Sequence, residues 1–307
     1  MIRDNPSFKS LDNMMKAMKT LAKLRPVLRL FGKSGRRMAN ALDKVPGLAE
    51  QTEALLSLPD RFSRILGPRG WIAHEDIHFE TMRMATEIAE AGRVDEAEAI
   101  LTAHYGADTI RTWLRFFLTS VRAYHPRHEL MLAAAKDHEE GRFHASVPVV
   151  LAQMDGLVLD LANLQFFRRG GRAHLEAADS MAGHPRGLGA LAALMGQPRS
   201  STRTTVIDLP YRHGILHGRD LGYANETTSA KAFAAFLALR AWAMKVERGA
   251  QFEAPPVEWP DPQTMSWRDI GRVWKDAWKS LLEYAESRRQ PRSPDNGGKG
   301  TSPGGRG

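Results

Sequence analysis

The run Asp208-Leu209-Pro210-Tyr211-Arg212-His213-Gly214-Ile215-Leu216-His217-Gly218 sets an arginine five positions before a histidine, with a second histidine between them. A guanidinium donates two parallel hydrogen bonds to a phosphate and keeps its proton, whereas an imidazole titrates near neutral pH. Cleaving an RNA phosphodiester through its 2′-OH needs a base for that hydroxyl, a cation for the developing charge, and an acid for the leaving 5′-oxygen. In that reaction Arg212 would hold the phosphate, His217 would transfer protons and His213 would assist; these residues alone do not fix RNA as the substrate. This reaction requires neither metal nor cofactor, spares DNA, and leaves a 2′,3′-cyclic phosphate. The spacing alone is weak evidence, since Arg69/His74 and Arg169/His174 share it. Gly218 closing the run, and the long apolar segment that follows, set the third pair apart.

Two further clusters carry chemistry. His74-Glu75-Asp76-Ile77-His78 reads as H-E-x-x-H, two zinc-ligand types one helical turn apart with a glutamate between them, and makes a zinc hydrolase using His74, Glu75 and His78 an alternative. Its context is poor: Asp76 lies inside the motif, and Glu87 and Glu90, the nearest third ligands, fall on the same predicted helix. Asp155-Gly156 sits in the middle of an apolar helix, where both burial and helix propensity argue against it. Such a conflict points to a functional or networked carboxylate, so Asp155 joins the candidate site.

These groups require helices to position them. Helical periodicity dominates and no alternating strand pattern stands out, so the expected class is all-α. The apolar stripe of 14–24, backed by Lys16, Lys19 and Lys23, ends at Pro26; further helices are expected over 27–42 and over 47–58, the latter stopped by Pro59. Others follow over 75–91, 94–104, 107–121 and 126–140, with Gly92 as a stop and Asp95 as a cap. The most apolar helix covers 142–167. Residues 168–205, rich in Gly, Arg, Ser and Thr, read as a loop with short helical pieces. The motif helix is expected to start at Asp208 as N-cap, followed by a helix over 227–246. Arg212 and His217 on one straight helix would lie about 140° apart around its axis, so a bend at Gly214 or a second chain must bring them together.

Composition narrows the class. The 307 residues are 43% hydrophobic and 25% charged, ordinary for a globular protein. Cysteine is absent, which excludes thiol catalysis, disulfides and thiolate metal sites, and suits a cytoplasmic location. The N-terminal apolar stretch is broken by lysines and resembles no signal peptide, and Asp155 and Asp160 argue against a membrane span at 147–167. Net charge is +8, and it is uneven. Residues 1–60 hold eleven Lys/Arg against six Asp/Glu, and 287–307 hold five against Asp295 alone, leaving a near-neutral body. Basic ends imply an anionic partner, either nucleic acid or an acidic membrane face.

The Arg212-to-His217 run, the "HGRDLGY" and "SAKAFAAF" segments and the helices around them resemble the last two helices of the HEPN superfamily, helical-bundle proteins many of which cleave RNA. The resemblance covers about 141–247. It implies an endoribonuclease with its site across a homodimer, Asp155 facing the motif helix in place of a more usual Glu, and a place among toxins or abortive-infection effectors with an antitoxin partner. HEPN-like domains also occur as silent interaction modules that bind RNA or protein. The expected organisation is a basic helical region at 1–140, a HEPN-like bundle at 141–250, a Pro-rich linker with a tryptophan-bearing helix at 251–286, and a disordered basic tail at 287–307.

Overall fold

The computed structural model describes residues 6–43, 45–163, 165–167, 175 and 180–249. The Pro-rich linker, the tryptophan-bearing segment, the basic tail and 168–174 lie outside them. The described residues hold twelve α-helices and two short strands. These are α1 (Pro6–Ala22), α2 (Arg25–Leu28), α3 (Gly32–Leu42), α4 (Val45–Ile65), α5 (Phe79–Glu90), α6 (Val94–His104), α7 (Ala107–Ser120), α8 (His128–Glu139), α9 (Phe143–Ala162), α10 (Leu188–Met195), β1 (Arg203–Val206), α11 (Arg212–Leu216), β2 (Asp220–Gly222) and α12 (Glu226–Glu247). The chain is predominantly helical, as its periodicity implies. The described residues belong to one compact unit, Met1–Val257, and one apolar core runs from Leu58 to Ala243. The expected boundary at 140 therefore divides no core.

The central element is α12. Every residue from Thr228 to Leu239 is buried, so the helix has no wet face over that stretch. Ala230, Ala232, Ala234, Ala235 and Ala238 keep it thin enough for α6, α7, α9 and α10 to pack around it. Its start is fixed by Asn225, whose Oδ1 accepts from Thr228 N at 2.9 Å while Nδ2 donates to Ile207 O at 2.7 Å. Against α12 lies α9, with Val147, Val150, Leu151, Met154 and Leu157 fully buried. This is the one helix among the described residues long and apolar enough to cross a membrane, and here its apolar side faces the bundle. Pro148 has no N–H to offer the His144 carbonyl four residues back; the Tyr223 hydroxyl donates to that carbonyl at 3.1 Å instead.

Several expectations need correction. The helix expected over 27–42 is broken at 29–31 into α2 and α3, and α6 takes Arg93 as its N-cap, with Asp95 inside the first turn. Pro59 does not stop α4 but lies inside it. The motif helix begins at Arg212 with Tyr211 as N-cap, because Asp208 faces Arg69 and Lys231. Finally, β1 and β2 form a parallel pair, with Arg203 opposite Asp220 and Val206 opposite Gly222. Parallel neighbours need a crossover of about a dozen residues, and the link from Ile207 to Arg219, containing α11, supplies it.

Candidate functional site

The short helix α11 is held on several sides. Arg199 lies over the Tyr211 ring, its guanidinium carbon 3.5 Å from the centroid, and its Nε donates to the Asp220 carboxylate at 3.0 Å. Asp220 is buried and sits directly against Gly214; a Cβ at 214 would overlap that carboxylate. Glycine at 214 thus lets a buried ion pair seat the middle of the helix, rather than bending it. At its C-terminal end, His217 caps the helix and Gly218 takes a φ of 66°, a left-handed conformation suited to glycine.

On the face towards α9, Arg212 Nη2 donates to Asp155 Oδ2 at 3.1 Å. The other oxygen of Asp155 accepts from Phe166 N at 2.8 Å, which ties the end of α9 to the chain beyond it. Arg212 Nε is buried with no hydrogen-bond partner among the described residues, and the guanidinium carbon lies 6.0 Å from the Phe167 ring centroid. Asp155, Gln165, Phe167, Arg212 and His213 line a cavity of about 400 Å³. The Asp155-Gly156 anomaly thus has two causes. Asp155 pairs with Arg212, and Gly156 admits Arg127, whose Nη2 lies 2.9 Å from where a Cβ would stand. Arg127 also donates to Asp160 at 2.7 Å, so both carboxylates of α9 are matched by arginines.

Of the two histidines, His213 lines the cavity and His217 does not. Their rings lie side by side, centroids 5.0 Å apart, because four residues make one helical turn. Partial desolvation, then the neighbouring His217 and Arg212, hold His213 below the ordinary imidazole range. That shift favours the neutral ring, the state in which an imidazole accepts a proton. Arg212, Asp155 and His213 come together directly, and His217 joins them through His213.

The H-E-x-x-H residues are not on one helix, since α5 begins only at Phe79. His74 is buried, its Nδ1 accepts from Asp76 N at 3.2 Å, and its Nε2 lies 2.6 Å from the Tyr105 hydroxyl. Both ring nitrogens are thus occupied, with the neutral Nε2–H tautomer fixed by the backbone donor. Asp76 pairs with Arg240, Glu75 accepts from Met181 N at 2.6 Å, and His78 is exposed. The two-histidine face that zinc would need is not formed.

Burial, the largest influence, lowers the His74 pKa to about 4. On unfolding it would return to about 6.5 and take up a proton, so acid favours the unfolded chain. The His74 contribution is complete above about pH 6.5 and is lost as pH falls towards 4; by pH 5 the loss is about 2 kcal/mol. Urea titrations at pH 7 and pH 5 should show this extra acid sensitivity in the natural chain and not in His74→Gln.

The sequence alone did not single out Phe167, Gln165, Arg199, Asp220 or Arg127. The Gly-Gln-Pro-Arg turn signal at 196–199 was the available hint for Arg199. Set against family models, curated proteins and solved structures, the chain matches none.

Proposed function

We propose that this chain is a metal-independent endoribonuclease of HEPN type that cleaves RNA through the 2′-OH. The observation that carries the reading is the meeting of Arg212, His213 and Asp155 in one cavity beside Phe167. Arg212 holds the scissile phosphate, and Phe167 offers a ring on which a base can stack. His213, neutral at the cavity wall, takes the 2′-OH proton as the 2′-oxygen bonds to phosphorus. The phosphorus–5′-oxygen bond breaks, and His217, from the same chain or from the second copy of a homodimer, protonates the leaving oxygen. Asp155 is a positioning residue that aims the guanidinium. Such an activity suits a cytoplasmic toxin or anti-phage effector held in check by an antitoxin.

A non-catalytic interaction module of HEPN type is the second reading. The Arg212–Asp155 pair favours it, because a guanidinium already matched by a carboxylate has less to offer a phosphate. The two readings separate on single-stranded RNA in excess EDTA. Cleavage is expected, slowed about a hundredfold by His213→Ala or His217→Ala. Asp155→Asn keeps an acceptor for Phe166 N but turns an amide towards Arg212, and should slow cleavage about tenfold by misplacing it. Intact RNA across substrates of varied sequence would favour the interaction module.

A further inference from the structure

The junction of α2 and α3 presents apolar side chains that the core does not use. Leu30 is 82% exposed, Phe31 68% and Val27 51%; the first two are among the most exposed large apolar residues described. A turn holds them outward, with Leu30 N donating to Val27 O at 3.0 Å and Phe31 N to Leu28 O at 3.1 Å. Gly32 then takes a φ of 63°, which turns the chain into α3.

The charge around this tip is mostly positive, although Glu50 and Glu53 line a cleft with Lys19, Lys23 and Arg25. Residues 13–42 contain eight Lys/Arg and no Asp or Glu. Lys19, Lys23, Arg29, Lys33, Arg36 and Arg37 are exposed. The nearest acid in sequence, Asp43, accepts from Arg25 at 3.2 Å and from Arg29 at 3.1 Å. These are surface pairs of little strength, and they leave the remaining cations to face outward.

We propose that this tip docks on an anionic lipid bilayer, with Leu30, Phe31 and Val27 entering the headgroup–acyl boundary while the surrounding lysines and arginines meet acidic headgroups. The charge suits any polyanion, but the apolar residues select among them. An RNA backbone has no use for an exposed Leu and Val, which cannot stack as a base-binding aromatic does. A bilayer uses both components, the apolar residues for burial and the cations for the negative surface potential. The docking tip belongs to α2 and α3, separate from the α9–α11 cavity, so it stands or falls independently of the nuclease reading.

The test is sedimentation of the full chain with vesicles of phosphatidylcholine alone, or of phosphatidylcholine with about 30 mol% phosphatidylserine. Binding is expected only to the anionic vesicles, weakening as salt rises. The exposed double variant Leu30→Asp/Phe31→Asp should bind at least about tenfold more weakly, with unchanged circular dichroism and melting temperature. Because the chain has no cysteine, Leu30→Cys accepts a single environment-sensitive dye. Its emission should rise and shift to the blue on anionic vesicles, while a dye at the exposed Asp108→Cys should not respond. Equal vesicle binding by the double variant would overturn the proposal, as would an unresponsive dye at position 30. A double variant that keeps its lipid affinity but loses affinity for 2′-O-methyl RNA would assign the surface to nucleic acid instead.

Discussion

Arg212→Ala is expected to lower RNA cleavage about a thousandfold, because it removes the arginine that, among the described residues, lines the cavity and faces the charge developing on the phosphate. Arg212→Lys should recover little. A lysine carries the charge but not the planar fork, and cannot reach Asp155 while presenting a parallel pair of donors to the ligand. The loss should fall mainly on kcat, since the interaction strengthens as charge builds on the phosphate oxygens. Stability should change little by comparison, as Arg212 is only partly buried and its one observed ion pair is accessible to water. Single-turnover cleavage of a labelled single-stranded RNA, run beside a urea titration, measures both effects.

Glu98→Ala carries the largest expected stability effect. Glu98 accepts from Trp71 Nε1 at 3.0 Å and from Arg69 Nε at 2.8 Å, and it lies 2.6 Å from Lys231 Nζ. Burial alone would raise its pKa, but the hydrogen bond and charge of Lys231, helped by Arg69 and Trp71, hold it below the usual carboxylate range. The Lys231 side chain is fully buried in the second turn of α12, and that burial pulls its pKa down more than Glu98 and Asp208 can restore. Without Glu98, the described acid remaining near the ammonium is Asp208 at 3.8 Å. Removing one partner of a buried pair costs about 3–5 kcal/mol, because the other is left charged in an apolar setting. A well-packed apolar pair, Glu98→Leu with Lys231→Met, should recover most of that loss in the same denaturation experiment. Asp208 belongs to the segment leading into α11, so Glu98→Ala should also loosen the approach to Arg212.

Most of the long helices were legible because each buries one side in a single core, which writes a 3.6-residue period into the sequence, whereas α12 was legible as a long apolar run between a capping Asn225 and Gly249. Helices α5 to α9 and α12 lie within a few residues of the expected spans. The strands were not legible. β1 has four residues, all exposed, and β2 has three, so neither can display an alternation of two. The start of α11 was misplaced for a different reason. Asp208 is a good capping residue, but buried Lys231 and Arg69 compete for its carboxylate, and both are far away in sequence. Asp155 announced itself by breaking the rules of an apolar helix, and its partner proved to be Arg212. Gly214 looked like a hinge. Its reason is Asp220, a contact that only the folded crossover between the strands creates.

The relation between the two histidines was half legible. A spacing of four places His213 and His217 on one side of any helix, whereas a spacing of five gave no reason to prefer His217 over His213 beside Arg212. The fold puts His213 at the cavity wall, and the proposed role of His213 as base rests on that position together with its lowered pKa.

The most direct measurement is to offer the purified protein one single-stranded sequence as RNA and as its 2′-O-methyl counterpart, in excess EDTA, and to identify the ends produced. The RNA alone should be cut, leaving a 2′,3′-cyclic phosphate on one fragment and a 5′-hydroxyl on the other. Equal cutting of the 2′-O-methyl strand, or ends bearing a 5′-phosphate, would contradict it, because neither can arise when the 2′-oxygen is the nucleophile.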